Sequence, residues 1–168
     1  MIKCPSGWLW GQTASPTDIG CLRGCYIYVT ICILQFLEEC GTIGLRSVHG
    51  GKFLEVTTNN RIRATSAHWT PEAHIAVELD PEDPRYVYLK SSHGKYLSAS
   101  ENGYLKWNLP WKRSWERFFM KRDGEYGSKM ALRSVHGLWV SAKGDGTVTA
   151  DGKNDSSWEH FDIFPNWC

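Results

Sequence analysis

Short runs in which every second position is apolar recur along most of this chain, and they recur at a fixed interval. The hexapeptide "LRSVHG" stands at Leu45–Gly50 and again at Leu132–Gly137, with "LKSSHG" at Leu89–Gly94, steps of 44 and 43 residues. The likeness continues past the histidine and glycine into "KFLEV" from Lys52, "KYLSA" from Lys95 and "LWVSA" from Leu138. Turn dipeptides follow at Asn59-Asn60, Asn102-Gly103 and Asp145-Gly146, then the runs "RIRAT", "YLKWN" and "TVTAD". Each unit closes on an apolar segment, "AHIAVEL" from Ala73, "WERFFM" from Trp115 and "WEHFDIF" from Trp158.

Runs this short, with period-two pairs such as Leu132/Ser134, Trp139/Ser141 and Val148/Ala150, predict strands rather than helices. Asn-Gly and Asp-Gly predict hairpins of type I′, with both central residues left-handed, and His-Gly predicts a similar corner because His and Gly tolerate that region. Each unit therefore reads as four short strands, and three units predict twelve. That arithmetic is an all-β fold of the β-trefoil kind: three four-stranded repeats with pseudo-threefold symmetry, six strands closing a barrel and three hairpins capping one end. A propeller needs at least about four blades, and a solenoid has atypical end repeats, whereas the last copy here is the cleanest. The expected barrel core is Leu45, Leu89 and Leu132, then Leu54, Leu97 and Val140, then Ile62, Leu105 and Val148, and lastly Ile75, Phe118 and Phe161.

Composition sharpens the picture in two places. With 168 residues and a net charge of +1, acids and bases mixed, the chain fits one compact domain and shows no basic block for nucleic acid or a membrane surface. Cys4, Cys21, Cys25, Cys32 and Cys40 crowd the first forty residues, and Cys168 ends the chain, so 41–168 reads as a domain without internal cystines or cysteine-bound metal. Residues 1–40 read as a separate cysteine-rich apolar extension of unassigned role. Its uncharged run "CYIYVTICILQFL", Cys25–Leu37, is too short for a bilayer span of about 20 residues. It stays open whether that run is a buried strand or helix, a signal or anchor, or an extraneous extension.

The pattern L-R/K-S-x-H-G-K-Y/F-L-S-A, then N/D-G-x-L/V-x-A, then W-E-x-F resembles the repeat of the fascin-like β-trefoils, the superfamily that holds fascin and hisactophilin. The best copy is Ala131–Phe164, Val87–Asn108 is nearly as good, and the first copy carries an extra Gly51 and has Glu72 where the others have Trp115 and Trp158. The resemblance covers about three-quarters of the chain, Gly41 to Pro165. It implies a cytoplasmic, cytoskeletal module that binds an actin filament, bundling filaments if it dimerises. Some fascin-like trefoils accompany secreted glycan-active proteins, so the alternative is a carbohydrate-binding module, secreted if Cys25–Leu37 acts as a signal.

The candidate chemistry is that of a binding protein. No nucleophile elbow, zincin helix or phosphate loop occurs, so no enzyme and no cofactor are expected. His49, His93 and His136 recur because a turn is repeated; pH sensing and a three-histidine zinc site are the competing readings. Any effect of pH on binding between about 6 and 8 is expected to be small. Trp115-Glu116 and Trp158-Glu159 read as core-edge tryptophans, with an aromatic platform beside a carboxylate as the glycan-binding alternative. "WNLPWKRSW", Trp107–Trp115, puts three tryptophans and two adjacent bases on one loop, the residue types of interface hot spots. Trp111, Lys112 and Arg113, extended by Lys121 and Arg122 just beyond the next strand, are the expected contacts to an acidic partner such as actin.

Overall fold

The structure, a computed structural model, describes residues 41–124 and 128–165, all within the second of two compact units, Leu34–Cys168. The N-terminal cysteines, the run Cys25–Leu37 and Cys168 lie outside the described residues. Among the described residues twelve strands follow one another: β1 Ile43–Ser47, β2 Phe53–Val56, β3 Ile62–Ser66, β4 Ile75–Leu79, β5 Tyr86–Ser91, β6 Leu97–Ala99, β7 Leu105–Trp107, β8 Phe118–Asp123, β9 Lys129–Ser134, β10 Trp139–Ala142, β11 Val148–Gly152 and β12 His160–Pro165. One-turn 3-10 segments, Pro71–Ala73 and Ser114–Glu116, precede β4 and β8.

Every pairing is antiparallel. β1 pairs β4, β4 pairs β5, β5 pairs β8, β8 pairs β9, β9 pairs β12, and β12 returns to β1 with five residue pairs from Ile43↔Pro165 to Ser47↔Phe161. Six strands thus close on themselves as a barrel, leaving no free edge among them. The other six form the hairpins β2–β3, β6–β7 and β10–β11. This is a β-trefoil. All twelve expected core positions are buried, none more than 5% exposed. Period two accounts for this, since in a strand buried on one face alternate side chains point to the core, and each large apolar side chain buried there stabilises the fold by about 1.5–3 kcal/mol.

The turns differ from expectation. Among the described residues Asn60 is the only non-glycine with positive φ, so the turn histidines and Asn102 and Asp145 are not left-handed. At Ser100–Tyr104 the Gly103 N–H donates to the Ser100 carbonyl and the Ser100 N–H to the Tyr104 carbonyl. Only Gly103, at φ 81°, turns left. That is the three-residue loop with one left-handed glycine rather than type I′. The side-chain oxygens of Asn102 and Asp145 accept the N–H groups of Tyr104 and Thr147, which favours this loop over the two-residue one. In the first β1–β2 corner the extra residue moves the left-handed position from Gly50 to Gly51.

The left-handed residue at each hairpin tip also joins that hairpin to another. The carbonyl of Asn60 accepts from Trp107 N–H at 3.0 Å, that of Gly103 from Ala150 N–H at 2.8 Å, and that of Gly146 from Ala64 N–H at 2.9 Å. A Cβ on Gly103 would stand 2.7 Å from the Ala150 carbonyl oxygen, and one on Gly146 2.8 Å from Thr65 Cγ2. Gly103→Ala is therefore expected to lose about 1–3 kcal/mol of stability, from the left-handed backbone and the contact together, read as the shift in urea midpoint. The same change at Gly144, whose Cβ would meet nothing within 4 Å, is expected to move the midpoint far less.

Candidate functional site

The β7–β8 connection is pinned at its start, where Asn108 N–H donates to the Tyr96 carbonyl and Tyr96 N–H to the Leu109 carbonyl. At its end the Glu116 carboxylate, 2% exposed, accepts the Arg113 N–H at 2.9 Å. Between these anchors Trp111 is 51% exposed and Trp115 44%. The Arg113 guanidinium lies 5.9 Å from the Trp111 ring centre. Trp115 meets the His136 ring edge-on at 5.6 Å, and a ring nitrogen of His136 lies 3.0 Å from the Ala99 carbonyl oxygen. Val135, beside that histidine, is also exposed. The result is an exposed aromatic surface beside Arg113.

The other predicted bases are not part of it. Lys112 Nζ donates to Glu78 Oε2 at 2.8 Å and lies 4.9 Å from the Tyr88 ring centre, and the Tyr96 hydroxyl donates to Glu78 Oε1 at 2.8 Å. Lys121 and Arg122 lie within β8, not beyond it, and as neighbours in a strand they point to opposite faces. Lys121 pairs with Asp155, a bond that raises its pKa above the ordinary lysine value. Arg122 is half-buried, and burial lowers its pKa. Of the four proposed cations, Arg113 alone is exposed without a carboxylate partner among the described residues.

These pairs follow a rule the sequence did not announce. Three residues after the buried Ile75, Phe118 and Phe161 come Glu78, Lys121 and Phe164. Six residues before them come Trp69, Lys112 and Asp155. Glu78 pairs with Lys112 and Lys121 with Asp155, while Phe164 packs edge-on to Phe53 at 5.2 Å, itself stacked with Trp69 at 6.4 Å. A second set lies beside them: Asp80 with Arg117 at 2.7 Å, and His160 with Asp155 at 2.8 Å and Asp123 at 3.5 Å.

The turn histidines do not converge, and no group of three or more potential metal ligands exists among the described residues. Two of them meet tryptophans instead: His49 stacks on Trp158 at 3.4 Å and 24°, and His136 meets Trp115. His93 has only Asn60 Oδ1, at 3.5 Å from Nδ1. The core-edge reading of the Trp-Glu pairs is inverted. The tryptophans face out, and the glutamates are buried as caps, Glu159 accepting from the backbone N–H and hydroxyl of Ser156. A spacing signal existed: both glutamates stand three residues after the residue they cap, as in a capping box.

A family model described as a β-trefoil domain of unknown function (DUF569) matches residues 34–109, a little under half of the chain. The chain is similar to that family over the sequence of its first seven strands, β1 to β7, and the barrel closure extends the same fold through β12. No curated protein matches the chain.

Two buried polar groups give the clasps a pH signature. Burial would raise the Asp80 carboxyl, but the Glu82 N–H, Arg117, the Tyr88 hydroxyl and the Asp83 N–H overcome it and hold the pKa at about 2. An unfolded aspartate titrates near 3.9, roughly, so this group's stabilisation is present above that pH and is lost as pH falls through about 2. Denaturation midpoints measured between about pH 5 and 2 are expected to fall less steeply in Asp80→Asn than in the native chain. For Tyr96, burial and then the bond and charge of Glu78 push the hydroxyl up to about 12. Its stabilisation is intact below the unfolded tyrosine value of about 10 and is lost as pH rises through about 12, a step that phenolate absorbance is expected to place there and that Tyr96→Phe removes.

Proposed function

We propose that this β-trefoil is a non-enzymatic protein-binding module of the cytoplasm whose partner is the actin filament. We read its twelve strands as three copies of one four-strand unit about a pseudo-threefold axis, a reading supported by the cyclic hydrogen bonds among the hairpin tips. The observation that carries the functional reading is the β7–β8 loop. It presents Trp111, Arg113 and Trp115 outward on a backbone fixed by buried Glu116. Rigid aromatics beside an arginine are the composition of interface hot spots, and holding them in place in the free state lowers the cost of binding. The repeat motif's resemblance to fascin-like trefoils supplies actin as the partner. Carbohydrate binding has less support, because the carboxylates beside the tryptophans are occupied as caps and cannot reach a sugar hydroxyl.

With one unpaired cation on the loop, contact is led by aromatic burial rather than by charge. Co-sedimentation with actin filaments on the order of 10 μM is expected to pellet the chain, and raising salt from about 50 to 200 mM to weaken it only severalfold. Replacing Trp111 and Trp115 together by Ala is expected to weaken binding about tenfold or more, and Lys121→Ala, whose charge is spent on Asp155, about twofold or less. A full-length chain that stays in the supernatant ends the reading.

A further inference from the structure

Within the proposed contact loop sits Ser114, an exposed hydroxyl between Arg113 and Trp115. Its backbone opens the 3-10 turn Ser114–Glu116, yet its side chain caps nothing; the cap is the Glu116 carboxylate on Arg113 N–H. The corresponding positions in the other two loops are Pro71, which has no hydroxyl, and Ser157, which follows Asp155 and Ser156 rather than bases. In that third loop the neighbouring Ser156 hydroxyl is committed to Glu159. Of these three positions Ser114 alone combines an uncommitted, exposed hydroxyl with two preceding bases, Lys112, which is paired with Glu78, and Arg113.

The turn around it is one turn long, as in the first loop. Its backbone bonds, Glu116 N–H to Arg113 carbonyl and Arg117 N–H to Ser114 carbonyl, are both 3.3 Å; the first loop has 3.0 Å to Thr70 and 3.3 Å to Pro71, and the third has 3.0 Å to Ser156. These two bonds lie outside the barrel strands, so the segment can extend into a kinase cleft without breaking the barrel.

We propose that Ser114 is a phosphorylation site for a basophilic serine kinase and that the phosphate switches off the aromatic loop. The inference of a switch rests on the proposed contact with actin; the modification site does not. In the transfer, Ser114 Oγ attacks the γ-phosphorus of ATP, the new O–P bond replaces the bond to the β–γ bridging oxygen, ADP departs, and the hydroxyl proton passes to the kinase base. The product carries about −2 charge beside Arg113. That charge takes up the loop's one unpaired cation and adds a dianion to a surface meant for an acidic filament. No existing side-chain bond is lost, so the fold is retained.

The test incubates the full-length chain with MgATP and the catalytic subunit of cyclic-AMP-dependent protein kinase, a basophilic enzyme. Peptide mass mapping is expected to show one phosphate on Ser114, absent in Ser114→Ala. Phosphorylated and untreated chains are then co-sedimented with actin filaments. The phosphorylated chain is expected to bind about tenfold more weakly than the untreated chain, while Ser114→Ala sediments to the same extent with and without kinase treatment. Failure to label Ser114, under conditions that label a basic serine peptide, overturns the site regardless of actin. Labelling with unchanged sedimentation overturns the switch. If the untreated chain fails to sediment, the actin reading falls and the switch with it, while the labelling result still decides the site.

Discussion

The pairing of β1 with β12 is the contact on which the rest of this molecule depends. It joins the two ends of the described chain through five residue pairs, reinforced by Arg46 donating to Asp162 across 116 residues of sequence. Without it, β1 and β12 would be bare edges, each an invitation to pair with another chain. With it, the barrel interior becomes a single enclosed core in which Leu45, Leu89 and Leu132 are all fully buried. The pairing is also the least local in the fold, so its loop-closure entropy must be met before the core repays it. The hairpin tips depend on the same closure, because the bond from Ala64 to Gly146 links the first hairpin to the last.

A chain that repeats "LRSVHG" risks pairing its strands in the wrong order, since the repeated segments are interchangeable. The clasps remove that freedom. At equivalent positions one junction uses Glu78 with Lys112, the next reverses the sign with Lys121 and Asp155, and the last abandons charge for Phe164, Phe53 and Trp69. Permuted, Glu78 would face Asp155, and Lys121 would face an indole. Individually each partly exposed pair is weak, roughly 0–1 kcal/mol, but repulsion in the wrong order counts as much as attraction in the right one. The same assignment explains why the loop surface carries so little charge: its lysine is spent on the junction.

The sequence made the fold legible because period and repeat are written in the positions that face the axis. All twelve core residues were found that way, since period two admits one register once a face is buried. The turn type was missed because Asn-Gly and Asp-Gly suit both the two-residue and the three-residue loop, and the side-chain bonds of Asn102 and Asp145 decide between them. The site was half legible. The loop bearing Trp111, Arg113 and Trp115 stood out by composition, but Lys112, Lys121 and Arg122 looked free because their partners are 34 residues away, or because burial depends on neighbouring strands. The meeting of the repeated histidine with the repeated tryptophan was hidden for a related reason: each pair joins different copies, so neither residue predicts it alone.

That meeting also differs among the loops that precede β4, β8 and β12. In the first copy Glu72 replaces the tryptophan, and His93 is left facing Asn60. In the third, His49 lies nearly parallel on Trp158 at 3.4 Å and covers one of its faces. In the second, His136 meets Trp115 at 74° with ring centres 5.6 Å apart, and Trp115 stays 44% exposed. Trp111 and Arg113 have no aromatic or basic counterpart in the third loop, where Asn154 and Ser156 stand instead. The sequence repeat thus yields a histidine–tryptophan meeting in two of the three loops, and departures in sequence, Glu72 in the first loop and Asn154 and Ser156 in the third, distinguish the first and third from the loop that carries Trp111, Arg113 and Trp115.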